Sequence, residues 1–264
     1  MTAEVWEAQG RAMGLDKPLI VQYLLWVKNA AQGDFGDSVH FRRNSLDLIL
    51  KFLPATLQLS GISFLCALLI GVPLGILSAV KRTTGWDYLG RSFALLGQAA
   101  PPFWIALVFI WIFSVYLGWL PTSRKGDWTH YVMPVIVLGW LPAAGLLRLT
   151  RSSMLEVLDS EYVKLARAKG VSTKAIIWKH AFRNSLIAPL TYAAILLANF
   201  LTGTVVVETV FAWPGLGRLS VMAALNTDFP LITGLALVFS VIFLLCSLVA
   251  DILYALLDPR IRIS

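Results

Sequence analysis

The sequence predicts an all-α integral membrane protein with five spanning helices, and three observations carry that prediction. The 264 residues are 58% hydrophobic and only 14% charged, against about 45–50% apolar and about 25% charged in a soluble domain. Five charge-free runs, Phe52–Val80, Ser92–Ser123, Trp128–Leu147, Asn184–Val207 and Phe229–Ala250, each hold the ~20 apolar residues that cross ~30 Å of hydrocarbon as a helix. Basic residues are sorted between alternate loops. Helices satisfy their own backbone hydrogen bonds in lipid, and the alternating pattern of a membrane barrel is absent.

Taken in chain order, residues 1–52 form a polar external segment. It carries six basic and six acidic side chains, and its longest apolar stretch is about Leu19–Val27. The first run holds Pro73 and the second holds Pro101 and Pro102. Prolines free backbone groups that neighbouring helices can repair in lipid, so kinks are expected there. Trp104, Trp111, Trp119, Trp128 and Trp140 cluster towards run ends, as an interfacial belt does. Cys66 and Cys246 lie inside apolar runs and read as small core or lipid-facing residues.

Orientation follows from the loops. Lys81, Arg82 and Arg91 follow the first run, and Arg148, Arg151, Lys164, Arg167, Lys169, Lys174, Lys179 and Arg183 follow the third. The alternate loops hold only Arg124, Lys125 and Arg218. Eleven cations against three place the first set in the cytoplasm, with the C-terminus on the same side. Five spans then leave Met1 outside, and no signal peptide is visible to carry the polar segment across.

The segment 148–183 reads as two amphipathic helical pieces. Leu155, Leu158, Tyr162 and Leu165/Ala166 recur at helical spacing and are expected to form one apolar stripe. Ala166, Ala168, Lys169, Gly170, Val171 and Ser172 follow, where small side chains alternate with cations. Gly170 can end one helix, and Ser172 or Thr173 can cap the next. A short exposed helix with small residues lets another surface approach closely; on charge alone, a basic loop resting on anionic headgroups is the favoured reading.

The stretch Glu161-Tyr162-Val163-Lys164-Leu165-Ala166-Arg167-Ala168-Lys169-Gly170-Val171-Ser172, with Lys179-His180-Ala181-Phe182-Arg183-Asn184, resembles the cytoplasmic signature loop of binding-protein-dependent permeases. The nearest resemblance is to the dipeptide, oligopeptide and glutathione branch of bacterial ABC importers. Asp16-Lys17-Pro18-Leu19, Gly33-Asp34-Phe35-Gly36, Leu53-Pro54-Ala55-Thr56, Gly118-Trp119-Leu120-Pro121, Val207-Glu208-Thr209-Val210-Phe211-Ala212-Trp213-Pro214-Gly215-Leu216-Gly217-Arg218 and Asp258-Pro259-Arg260 match that branch in order. There is one departure. The superfamily's Glu-Ala-Ala before the glycine reads Lys164-Leu165-Ala166 here, and its later Leu-Pro reads Phe182-Arg183.

The resemblance implies a type I ABC importer transmembrane domain over 53–257, an external segment over 1–52 and a cytoplasmic tail over 258–264. Family members have six spans, with a helix ahead of the segment matching 1–52. A misassigned start, a truncated gene and a five-span subunit are all open, and an upstream helix is the favoured expectation. The implied function is a bacterial inner-membrane permease subunit that forms a peptide pathway with a sister permease. Its implied partners are two cytoplasmic ATP-binding subunits and a periplasmic or lipid-anchored substrate-binding protein. Ala166–Ser172 is then the ATPase-coupling loop. The turn Trp213, Pro214, Gly215, Gly217 is a candidate binding-protein contact, or an interfacial cap.

Other chemistry finds little support. The sequence has no Gly-x-x-x-x-Gly-Lys-Ser/Thr phosphate loop, so ATP hydrolysis belongs in separate chains and no cofactor is expected. His40, His130 and His180 lack metal-ligand spacing, and charge-free runs too long to sit in water exclude a nucleic-acid binder. A self-contained secondary carrier is the alternative, but such carriers place ionisable residues mid-membrane. The cargo is not legible: similar permeases serve nickel, glutathione, opines and sugars.

Overall fold

The computed structural model describes residues 17–202 and 204–257, and among these it is helical with no strand longer than an isolated bridge between Asp37 and Asn44. The tail 258–264 and the first sixteen residues, with the expectations placed on them, lie outside the described residues. A short helix α1 (Leu19–Ala31) precedes the first span, α2 (Ser45–Val80). Asn44 caps α2: its side chain accepts from the Leu46 and Asp47 N–H groups at 2.9 and 3.4 Å, satisfying donors that no helical carbonyl reaches.

Next come α3 (Gly85–Ala99) and α4 (Pro102–Phe109), the latter running on as a π-helix over Ile110–Tyr116. The kink expected in Ser92–Ser123 is in fact a break of 105°. Neither Pro101 nor Pro102 has an N–H, and a proline pushes the preceding residue out of helical geometry; Ala100 is accordingly extended. The next long apolar helix, α5 (Thr129–Leu158), is followed by α6 (Glu161–Ala168) and α7 (Thr173–Ala175). A π-helix (Ile176–Phe182), α8 (Arg183–Ser185) and α9 (Ile187–Thr202) come next. The chain closes with α10 (Val205–Val210), α11 (Leu216–Leu225) and α12 (Phe229–Leu257).

The expected five spans thus appear as three long apolar helices, α2, α5 and α12, one bent pair, α3 with α4, and the shorter α9. At 16 residues, α9 is below the ~20 that cross a full bilayer upright. The expected single stripe through Leu155, Leu158, Tyr162 and Leu165/Ala166 does not form. The helix stops at Asp159–Ser160, so Leu158 is buried while Tyr162 and Leu165 face outwards. Trp140 also departs from the expected belt: it stacks on Phe93 at 5.6 Å and donates to the Phe93 carbonyl. The other four tryptophans of the expected belt are exposed.

The centre of the bundle is the seam between α2 and α5. Ser63, Ala67, Gly71 and Gly75 recur every fourth residue along α2, and all four are buried. A side chain at Gly71 would meet the Ala143 carbonyl at 2.6 Å, and one at Gly75 would meet the Thr150 Cβ at 2.7 Å. Gly139 on α5 returns the approach against the Ser63 carbonyl at 3.1 Å. Water does not drive helices together inside lipid, so close backbone contact through small residues supplies the packing. Burial ranks the spans: 56% of the most apolar window of α5 is buried, against 11% for α12, so α5 is the core helix and α12 lies at the edge.

Gly71→Leu is expected to destabilise the chain by about 1–3 kcal/mol or more, read as a lower melting temperature in detergent. Gly61→Ala, at a position with open space around it, should leave that temperature unchanged.

Candidate functional site

Two ends of the bundle carry the sequence-predicted residues. At one end α2 and α5 finish and α6 begins. Ser160 precedes α6 in extended conformation, and Gly170 ends it at φ 77°, a left-handed geometry that glycine adopts without a Cβ clash. The Ser172 hydroxyl then accepts from the Ala175 N–H at 3.4 Å, so this residue caps α7. The product is a knuckle on which Ala168, Lys169, Gly170 and Ser172 are exposed and Ala166 and Val171 are half-buried.

A single side chain roots the knuckle. Val163 is fully buried among Ile76 and Ala79 of α2, Met154 and Leu158 of α5, and Ile176 and Ala181 of the π-helix. Tyr162 adds a polar tie: its hydroxyl donates to the His180 carbonyl at 3.2 Å and accepts from the Asn184 side chain at 3.0 Å. Arg82 meets Asp159 at 3.3 Å, joining the loop after α2 to the end of α5. This pair is exposed, and so of small energetic weight.

Just inside this end sits a buried pair that sequence reading missed. Arg151 grips Asp87 with two bonds, Nε to Oδ1 at 2.8 Å and Nη2 to Oδ2 at 3.0 Å. Ser78 donates to the same carboxylate at 2.6 Å, and the Thr83 N–H reaches it at 3.1 Å. One cluster therefore ties α2, α3 and α5. In the sequence Arg151 counted only as a loop cation and nothing singled out Asp87; only the fold makes them partners.

At the opposite end α10, the turn and α11 fold back over the start of α2. The Thr56 hydroxyl donates to Glu208 Oε1 at 2.7 Å and accepts from the Leu216 N–H at 2.7 Å. The Arg218 N–H reaches Glu208 Oε2 at 3.0 Å, so the carboxyl group closes the first turn of α11. Gly215 makes room here, since a Cβ would fall 2.4 Å from that carboxyl group. Trp213 is fully buried and donates from Nε1 to the Ala55 carbonyl at 3.0 Å. Of the four turn residues, Trp213, Gly215 and Gly217 are buried and only Pro214 is partly exposed, so the turn faces inwards and three of its residues offer a partner no surface. A second buried acid, Asp228, accepts from the Ser38 hydroxyl and from the Val39 and His40 N–H groups, docking the segment after α1 onto the start of α12.

Glu208 lies outside the long spans, and burial pushes its carboxyl group up from the ordinary value against the pull of the Thr56 and Arg218 hydrogen bonds. The folded chain therefore holds this proton to higher pH than the unfolded chain. Stability from this group is complete below the ordinary carboxylate pKa and is lost as pH rises through the raised one. His130 pairs with Asp127 at 2.9 Å, and among the described residues no group of His, Cys, Asp and Glu is arranged to hold a metal.

Residues 71–263 match the family described as "Binding-protein-dependent transport system inner membrane component". The chain is 42% identical to the glutathione transport system permease protein GsiC of Escherichia coli (strain K12), covering 98% of this chain and 85% of that one. It is 40% identical to the oligopeptide transport system permease protein AppB of Bacillus subtilis (strain 168), covering 94% and 82%. Among solved structures it resembles a chain of the MetNI methionine ABC transporter in an inward-facing conformation. The TM-score there is 0.65 at 16% identity, over 80% of this chain and 96% of that one. A crystal structure of an amino acid ABC transporter gives 0.61 at 16% identity, over 79% and 93%. The two solved structures share the fold, and the two sequence relatives favour an importer permease over a self-contained carrier.

Two outcomes test the buried acids. Arg151→Met, which strands Asp87, is expected to cost about 3–5 kcal/mol, and a second change, Asp87→Leu, should recover most of it; thermal melts of the detergent-solubilised protein read both. The difference in melting temperature between Glu208→Gln and the parent should grow in favour of the glutamine variant as pH rises above the ordinary carboxylate range.

Proposed function

We propose, from the premise that the chain belongs to the family of binding-protein-dependent transport system inner membrane components, that it is the permease subunit of an ATP-driven importer of small peptides. The observation that carries the reading is the rooted knuckle. A push on Ala168–Ser172 from an ATP-binding subunit is delivered through Val163 to α2 and α5 together, because that side chain shares one apolar cluster with residues of both. Small residues at the tip allow close approach, and the flanking Arg167, Lys169 and Lys174 suit an acidic groove. The knuckle end faces the cytoplasm, as its excess of cations favours, and the C-terminus lies with it.

The pathway runs along one face of α5. Leu141, Gly145, Arg148, Ser152 and Glu156 recur every three or four residues and so share that face, with Arg148, Ser152 and Glu156 exposed. Arg148 donates to Gln98 on α3 at 2.8 Å, and Gly145 meets Tyr192 of α9, so α3 and α9 flank the face. Beside it lies a cavity of about 500 Å³ lined by Ser153, Glu156, Asn184, Thr191, Tyr192 and Ile195, among others. Charged groups along a span face water or protein rather than lipid. This face therefore belongs against the sister permease, with the translocation path between them, while the apolar outer face of α12 takes the lipid. A volume of this order accepts a ligand of a few hundred daltons, which suits a di- or tripeptide. The binding protein docks at the opposite end, over the surface around Pro214.

Gly170→Arg is expected to abolish peptide uptake by the assembled complex in proteoliposomes while ATP hydrolysis continues and the chain still inserts. Uptake at the parent rate would overturn the coupling role. A mild-detergent pull-down should recover a second permease and Walker-motif ATPases with this chain, and recovery of the chain alone would overturn the importer reading.

A further inference from the structure

The helix α1 is almost detached from the body. None of its residues is buried, and Leu19, Ile20, Val21, Tyr23, Leu24, Leu25 and Val27 are all exposed. Its sequence, LIVQYLLWVKNAA, contains one charge. Exposure differs between its faces. Gln22, Trp26 and Ala30, four residues apart, form the less exposed seam, and Ala30 packs on the cluster of Phe35, Leu48 and Leu231. Ile20, Leu24, Val27 and Ala31 form the outer stripe on the far side, with Ile20 75% and Leu24 60% exposed.

An apolar face of this kind is costly to leave in water, because burial of apolar surface is favourable in proportion to its area. Thirteen residues rise only about 20 Å at ~1.5 Å each, too short to cross the bilayer. The root of the helix is fixed. Gly33 turns at φ 80° beside Leu46, Phe35 packs against Gly234 and Gly36 against Pro230, and Asp228 holds the Ser38–His40 backbone. That root stands at the rim where α2 and α12 begin. Both present apolar outer faces there, with Leu50 and Leu57 on α2 and Phe229 on α12 exposed. The outer stripe of α1 is thus continuous with surface that must itself meet lipid.

We propose that α1 lies flat in the headgroup–acyl boundary of the bilayer, with Ile20, Leu24 and Val27 sunk into it. Tyr23 has the apolar body and polar tip that favour this depth, and Lys17 and Lys28 at the two ends reach back to the headgroups. So placed, α1 ties the turn at Asp37–Asn44 and the start of α12 to the membrane surface. Movement of α2 against α12 is then felt by the bilayer at this rim.

The test is spin-label accessibility in the assembled complex in nanodiscs, with Cys66→Ala and Cys246→Ala as background and single cysteines placed at Ile20, Leu24 and, as an aqueous reference, Thr122, which is exposed in the loop before α5. The expected result is a ratio of oxygen to water-soluble nickel-chelate collisions several times higher at Ile20 and Leu24 than at Thr122. A ratio equal to the reference would put the stripe in water and overturn the proposal. Strong immobilisation with shielding from both reagents would place a protein partner on the face and overturn it equally. Neither reading depends on the cargo of the complex.

Discussion

Close backbone contact between α2 and α5 is the constraint on which the rest of the molecule depends. In hydrocarbon there is no water to expel, so two helices hold together only as well as their surfaces fit. Ser63, Ala67, Gly71 and Gly75 let α2 lie against the carbonyls of α5. Everything placed at the two ends is then indexed to that seam. Ile76, Ala79, Met154 and Leu158 sit just beyond it and form the socket for Val163. Ala55 and Leu59 sit at its other end and form the floor under Trp213 and Phe211.

Polar groups at the ends fix what packing alone leaves free. Asp87 and Arg151 join three helices through five hydrogen bonds that include Ser78 and Thr83. Such a bidentate pair has one good geometry, so it sets the rotation of α3 against α5 where apolar contacts would tolerate several. Glu208 and Asp228 do the same work at the other end by closing helix starts, Glu208 accepting from the distant Thr56 hydroxyl and Asp228 from the distant backbone at Val39 and His40. None of the three acids lies in a charge-free run, which is why the interior of the bundle stays apolar while both ends are sharply specified.

Much of this was legible in the residues themselves. Hydropathy located α2, α5 and α12 because a long apolar run admits little else. Gly170 and Ser172 announced the end of one helix and the cap of the next by their own backbone chemistry. The prolines at 101 and 102 marked a kink, though not its size, since the angle depends on what α4 packs against once the ladder is broken. The stripe through Leu155 and Tyr162 misled because periodicity continues across Asp159–Ser160 while the backbone does not. The turn at 213–217 misled in another way: tryptophan and glycine suggest an exposed contact loop, yet Trp213 completes a core and Gly215 makes room for a carboxyl group. No local signal pairs Asp87 with Arg151, since their sequence separation of 64 is bridged only by the packing of α3 against α5.

The bonds at the capped end also set an order of events. Ser38 meets Asp228 across 190 residues, Trp213 meets Ala55 across 158, and Glu208 meets Thr56 across 152. The Asp87–Arg151 pair needs only 64. A chain emerging from the ribosome can therefore complete one end early, while the other waits until nearly the whole sequence has been made. Until then Ser38, Ala55 and Thr56 lack these partners and the start of α2 lies open. An interrupted chain therefore keeps that end open however well its other end has formed.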